Sequence, residues 1–270
     1  MSTRKEPIGV FDSGVGGIST LREMRRQLPR ETFIYYGDTL HAPYGTKTRE
    51  EVVQCVRSVV ELLLREKIKA LVIACNTATS AAAAVLRAEL DIPVIGMEPA
   101  LKPAQEARKD GSILVMATPL TLREEKFGRL MERYGEGAVK VPCPGLMELV
   151  EKNDPDGARR YLERLFSGYD TGKMDAVVLG CTHYVFLREM IRDMLPPHVV
   201  ITDGSEGTAR QLARVLGQRD LLTDGEKGSV ILRTSGSGQD LALMQMLMER
   251  GFGSEGDAGA RPAGSAASAL

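Results

Sequence analysis

The side chains best suited to chemistry in this chain are two cysteines. Cys75 closes the run Ala70-Leu-Val-Ile-Ala-Cys-Asn-Thr77, and Cys181 closes the similar run Ala176-Val-Val-Leu-Gly-Cys-Thr-His183, 106 positions later. A single cysteine after an apolar run is ordinarily packing, because free thiols are among the most buried side chains. Two at matching places, each followed by amide, hydroxyl or imidazole groups, fit another role. A thiol just before a helix N-terminus faces free N–H groups and a favourable helix dipole, so its thiolate is stabilised there. Two such groups on opposite faces of one carbon could take a proton from one side and return one from the other, which inverts a stereocentre.

The elements that must position these thiols follow from the apolar pattern. Short Val/Ile/Leu runs closed by polar residues read as strands buried on both faces, and the ends of such strands open towards a ligand crevice. Ile8 to Phe11, Thr32 to Tyr36, Leu71 to Ala74 and Ile92 to Gly96 form one series of strands. Ile113 to Met116, Val139 to Val141, the second cysteine strand and Val199 to Ile201 form another. Helical patterns lie between them, including Arg49 to Lys67, capped by Thr48, with Cys55 inside as a packing residue. Shifting the chain by 106 superposes Ile8-Gly-Val on Leu114-Val-Met, Leu71 to Cys75 on Val177 to Cys181, and Val94-Ile95 on Val200-Ile201. The expected fold is α/β, with two similar domains related by a pseudo-twofold axis and the active site in the cleft between them. Each domain is expected to hold a mostly parallel four-stranded sheet flanked by helices. The expected boundaries are residues 1–97 with 208–252 for the first domain, including a return strand near Ser229 to Gly236 and a last helix, and 98–207 for the second. Residues 253–270, rich in Gly, Ala and Ser, are expected to be a disordered tail.

Bulk properties narrow the function. A net charge of -1 gives no reason to expect nucleic acid or an anionic membrane as partner. No apolar stretch reaches the roughly twenty residues of a membrane span, and the start lacks a signal-peptide core, so a cytoplasmic location is expected. There the four cysteines, Cys55, Cys75, Cys143 and Cys181, are expected to be thiols. With no C-x-x-C pair and three histidines, no metal site is expected. Asp12-Ser-Gly-Val-Gly-Gly17 suggests a phosphate loop, but its glycines do not fit G-x-G-x-x-G and no Gly-Lys-Ser/Thr follows.

Taken together, Asp12-Ser-Gly-Val-Gly-Gly17, Tyr44-Gly-Thr-Lys47, Ala74-Cys-Asn-Thr-Ala-Thr79, Gly180-Cys-Thr-His183 and Asp203-Gly-Ser-Glu206 resemble the signature segments of the glutamate racemases. These belong to the cofactor-independent aspartate/glutamate racemases, and the resemblance runs from about Ile8 to Arg210. It implies interconversion of L- and D-glutamate, supplying D-glutamate for peptidoglycan, without any cofactor and in a homodimer. By that resemblance Cys75 takes the α-proton of the D-isomer, assisted by Asp12. Cys181 takes that of the L-isomer, assisted by His183 and Glu151. Ser13, Tyr44, Gly45, Asn76, Thr77 and Thr182 match substrate contacts, as do Asp12 and His183. Glu148 lies one helical turn from Glu151 and stands where an uncharged residue is expected, so either carboxylate could be the assisting one. An aspartate or other amino-acid racemase of the same family, or a non-catalytic small-anion binding protein, is the alternative.

Overall fold

The computed structural model describes residues 3–249; the expectation of a disordered tail at 253–270, and the end of the last helix, lie outside them. The chain begins with β1 (Ile8–Asp12), α1 (Ile18–Gln27), β2 (Phe33–Gly37), α2 (Arg49–Arg65), β3 (Ala70–Ile73), α3 (Asn76–Glu89), β4 (Val94–Gly96) and α4 (Leu101–Ala107). Next come β5 (Ser112–Ala117), α5 (Pro119–Arg123), α6 (Glu125–Tyr134), β6 (Ala138–Pro142), α7 (Leu146–Glu151), α8 (Pro155–Phe166) and β7 (Met174–Leu179). A 3-10 stretch, Thr182–Leu187, leads into α9 (Arg188–Met194), β8 (Val200–Asp203), α10 (Ser205–Gln218), β9 (Val230–Thr234) and α11 (Gly238–Glu249).

Two parallel sheets result, in the orders β4-β3-β1-β2-β9 and β6-β5-β7-β8. The second, written backwards as β8-β7-β5-β6, repeats the first four strands of the first in the same relative order. The expected four-stranded first sheet is therefore five-stranded. Val230–Thr234 pairs in parallel with the open edge of β2, Phe33 opposite Val230 through Gly37 opposite Thr234. An unpaired strand edge carries free N–H and C=O groups, and the returning chain satisfies them.

Both faces of each sheet are covered, which is why the strands read as continuous apolar runs. Alternation sorts their side chains. In the first sheet Val10, Tyr35 and Val72 pack with α1, α10 and α11, whereas Phe11, Ile34 and Leu71 pack with α2 and α3. In the second, Leu114, Met116 and Val177 face α7, α8 and α9, and Ile113, Val115 and Val178 face α4 and α6. Ala209, Leu212 and Leu216 of α10 join the core of the first sheet, so the chain returns to it directly after β8.

Candidate active site

In each sheet the chain sets out from a central strand in one direction and later returns to extend the other side. Such a reversal leaves a crevice at the carboxyl ends of the two adjacent strands. In the first sheet those are β1 and β3, which deliver Asp12 and Cys75. In the second they are β5 and β7, which deliver Thr118 and Cys181. The two crevices meet. One small cavity is lined by Ser13, Gly45, Cys75, Asn76 and Thr77 from the first sheet's loops and by Thr118, Met147, Gly180, Cys181, Thr182 and His183 from the second's. Its volume, about 10 Å³ open to the centre of a water molecule, holds about one water. The cavity in this conformation is smaller than an amino acid.

Local sequence explains how each thiol is aimed. Cys75 is the N-cap of α3: its backbone is extended and its sulfur accepts from the Ala78 N–H at 3.4 Å. Ser13 Oγ lies 3.6 Å from the same sulfur. Behind them Asp12 is fully buried, accepting from Gly14 N–H at 3.0 Å, from Thr182 Oγ1 at 2.9 Å and from Ser13 Oγ at 3.3 Å. Burial, then the charge of Asp12, push the Cys75 thiol up to about 12. Asp12 is itself raised above the ordinary carboxylate value by burial, against the lowering effects of His183 and its own hydrogen bonds.

Cys181 has different company. It precedes the 3-10 stretch and takes no capping bond, and its sulfur lies 3.7 Å from His183 Nδ1. The other ring nitrogen, Nε2, lies 3.0 Å from Glu151 Oε1. Burial alone opposes a charge on His183, yet the hydrogen bonds and charges of Cys181 and Glu151 outweigh it and hold the imidazole well above its ordinary value. The sulfur thus sits beside a group that readily keeps a proton. Gly145, with φ +83°, starts α7 from a left-handed conformation and so sets the direction of the helix that carries Glu151.

Most of the residues singled out in the sequence converge here, with differences. Glu151, not Glu148, bonds His183. Tyr44 is buried but does not line the cavity; its hydroxyl donates to Asp38 Oδ2 at 2.6 Å, while its neighbour Gly45 reaches the wall and packs against Thr118. Asp38 also bonds His41 Nδ1 at 2.8 Å and Ser235 Oγ at 2.7 Å, and it forms a grouping of metal-type donors with His41 and Cys55. That grouping lies off the cavity, and its carboxylate is already engaged. Asn76 lines the cavity with its Oδ1 buried and without a partner among the described residues, its Nδ2 donating to Met97 Sδ at 3.3 Å.

Sequence reasoning missed Thr118, Thr121 and Met147. Thr77 Oγ1 lies 3.0 Å from Thr118 Oγ1 and 3.1 Å from Thr121 Oγ1, and these two are 2.9 Å apart, a triangle of hydroxyls joining α3 to α5 across the cleft. The signal for Thr118 was available: the shift of 106 sets it on Asp12.

Comparison with known proteins bears on the family and the fold. A sequence model of the Asp/Glu/Hydantoin racemases matches residues 8–212. A glutamate racemase from Bifidobacterium animalis is 50% identical over 258 residues, covering 92% of this chain and all of the relative. The crystal structure of Thermus thermophilus glutamate racemase with β-chloro-D-alanine is similar with a TM-score of 0.77 and 37% identity, over 92% of this chain and 95% of that one. That of the Escherichia coli glutamate racemase with L-glutamate and the activator UDP-MurNAc-Ala has a TM-score of 0.79 and 29% identity, over 92% and 96%. No described helix is long and apolar enough to cross a membrane. This chain belongs to the Asp/Glu/Hydantoin racemase family.

Proposed function

We propose that the protein interconverts L- and D-glutamate by proton transfer between Cα and two thiols, supplying D-glutamate for peptidoglycan. One observation carries the reading: two cysteine sulfurs from different sheets line one cavity, each beside its own proton-holding groups. In the direction from L, Cys181 as thiolate takes the α-proton, and the Cys75 thiol donates its proton to the opposite face of the carbanion-like centre. The enzyme is left with Cys181 protonated and Cys75 ionised. Exchange with solvent, or turnover of the D-isomer, restores the starting state. Asp12 assists Cys75, and His183 with Glu151 assists Cys181.

Binding follows from the same wall residues. The unpartnered Asn76 Oδ1 offers an acceptor to the substrate ammonium. The Gly45 N–H and the Thr77 hydroxyl are suited to carboxylates, and the Ser13 and Thr182 hydroxyls, which here donate to Asp12, contact substrate as donors only by exchanging that bond. Tyr44 acts by holding Gly45 through its bond to Asp38. Glutamate is taken as the substrate on the strength of the relatives that align over nearly their whole length, which are named glutamate racemases. In this reading, charge developing at Cα is stabilised by fixed dipoles in a site that excludes water. We also propose that the two domains comprise residues 1–97 with 208–252 and residues 98–207, and that the protein acts in the cytoplasm as a homodimer; sedimentation equilibrium distinguishes one copy from two.

The test is circular dichroism of L-glutamate, D-glutamate and L-aspartate, each with the purified protein and no additive. The reading predicts loss of signal for both glutamates, much slower change for aspartate, and a change about a thousandfold slower for glutamate with Cys75→Ser. Binding of glutamate without racemisation would return the chain to the anion-binding alternative.

A further inference from the structure

Tyr35 is a buried polar group that the proposed chemistry does not use. It lies in the middle of β2, fully buried among the apolar side chains that pack against α1. Its hydroxyl leaves that cluster upward and donates to the carbonyl of Gly14 at 2.7 Å. No other donor to this carbonyl is found among the described residues. The carbonyl is held close from below as well, because a Cβ on Gly37 would stand 2.7 Å from it. A Cβ on Gly17 would stand 2.9 Å from the Tyr35 oxygen, so the turn lies directly on the hydroxyl.

The other surface of the same turn presses on the second domain. A Cβ on Gly14 would overlap Glu151 Oε1, and one on Gly16 would overlap His183 Nδ1 and stand 2.5 Å from Thr182 Oγ1. Two of the turn's glycines, Gly14 and Gly16, therefore have a steric purpose unrelated to phosphate binding. They let backbone lie against the imidazole and carboxylate that serve Cys181. Ser19 adds a bond from this side, its Oγ donating to Gly16 O at 2.8 Å and approaching Thr182 O at 3.3 Å. The path is short and continuous: Tyr35 hydroxyl, Gly14 carbonyl, then the contact with Glu151 and His183.

We infer that Tyr35 is a positioning residue for the Cys181 half of the reaction: through the glycine turn, it fixes the second domain's His183–Glu151 pair from the first domain. Cys75 depends on it less. Its sulfur is placed by the α3 N-terminus, and its partner Asp12 lies on β1 and is held by Gly14 N–H, Thr182 and Ser13. Asp12 shares the turn, but its carboxylate has three donors, whereas the Gly14 carbonyl has one. A turn freed from Tyr35 relaxes first where it is pinned by a single bond.

The inference rests on the two-thiol reading, and its test separates the two. Enantiomers in water have equal free energy, so kcat/KM must fall equally in both directions whichever half is damaged. Isotope effects differ. With Tyr35→Phe, kcat/KM falls about tenfold, short of the roughly hundredfold that a misplacement of about 1 Å can cost. The deuterium isotope effect measured with [2-²H]-L-glutamate rises, because abstraction at Cys181 becomes more rate-limiting, and the effect with [2-²H]-D-glutamate falls towards unity. Gly16→Ala, which drives a methyl group into His183, shifts both effects in the same directions and serves if the first variant does not fold, as judged by thermal melting. Wild-type protein that does not racemise glutamate removes the underlying reading and the inference with it. An active wild type, with isotope effects unchanged in both folded variants or shifted towards the D-isomer, overturns the inference alone.

Discussion

The two walls of the cleft have the same scaffold and different chemistry. β1 with β3 and β5 with β7 are equivalent pairs in equivalent sheets, and each ends at a cysteine that precedes a helical segment. Yet Cys75 caps a regular helix and faces a buried carboxylate, whereas Cys181 enters a 3-10 stretch and faces an imidazole backed by a carboxylate. The repeat fixes where the thiols stand. The neighbours differ in charge: burial and the Asp12 carboxylate raise the Cys75 thiol, whereas the imidazole beside Cys181 is itself held in its protonated form. A pair with unequal partners can begin a turnover with one thiol as acid and the other as base, which two identical surroundings would not favour.

Removing either sulfur should break the comparison most severely. Cys75→Ser and Cys181→Ser are each expected to lower kcat by about 10³, within the range of lost acid–base groups, because a serine hydroxyl is far too weak an acid to ionise here. Racemisation followed by circular dichroism measures this. The next effect belongs to His183→Gln, with a loss of about 10² in kcat and little change in KM, since the ring acts on the sulfur more than on bound substrate.

Glu151→Gln should cost about tenfold and, more tellingly, move the pH profile. The folded protein binds the His183 proton more tightly than the unfolded chain does, so the imidazolium and the stability it contributes are complete below the ordinary value of 6.5. Both are lost as pH rises through the raised folded value. The alkaline limb of kcat/KM should accordingly lie above the usual histidine range in the wild type. It should move to lower pH in Glu151→Gln, which removes one of the groups raising His183. Glu148→Gln should leave the profile in place, and an equal shift in both variants would undo the assignment. Smaller still, Thr118→Val should raise KM for glutamate about fivefold, the worth of roughly one hydrogen bond, with kcat nearly unchanged.

Much of this was legible in the sequence because buried parallel strands carry an unmistakable apolar signature, and because the repeat turned two ordinary cysteines into a pair. Other features depended on what only tertiary structure brings together. Glu148 and Glu151 share a helical face by spacing, and the choice between them is made by where α7 meets His183. Thr118 was overlooked although it superposes on Asp12, because comparison of residue types conceals that strand-end positions serve a site whatever occupies them. Val230–Thr234 reads as a strand, but its partner edge on β2 lies far away in sequence. Tyr35 reads as one more aromatic in an apolar strand; its hydroxyl matters only because the glycine turn folds over it. The same turn, suggestive of phosphate binding, proves to be a close-packing surface for the opposite domain.

The most direct test of the central claim, one thiol for each face of the carbon, is early turnover of L-glutamate in deuterated water, with the two enantiomers separated and their α-positions read by mass spectrometry. The account predicts that newly formed D-glutamate carries deuterium while remaining L-glutamate is still protiated, since the proton taken by Cys181 and the deuteron given by Cys75 belong to different groups. Product that retains the original α-proton, or residual L-glutamate labelled as fast as product forms, would contradict it.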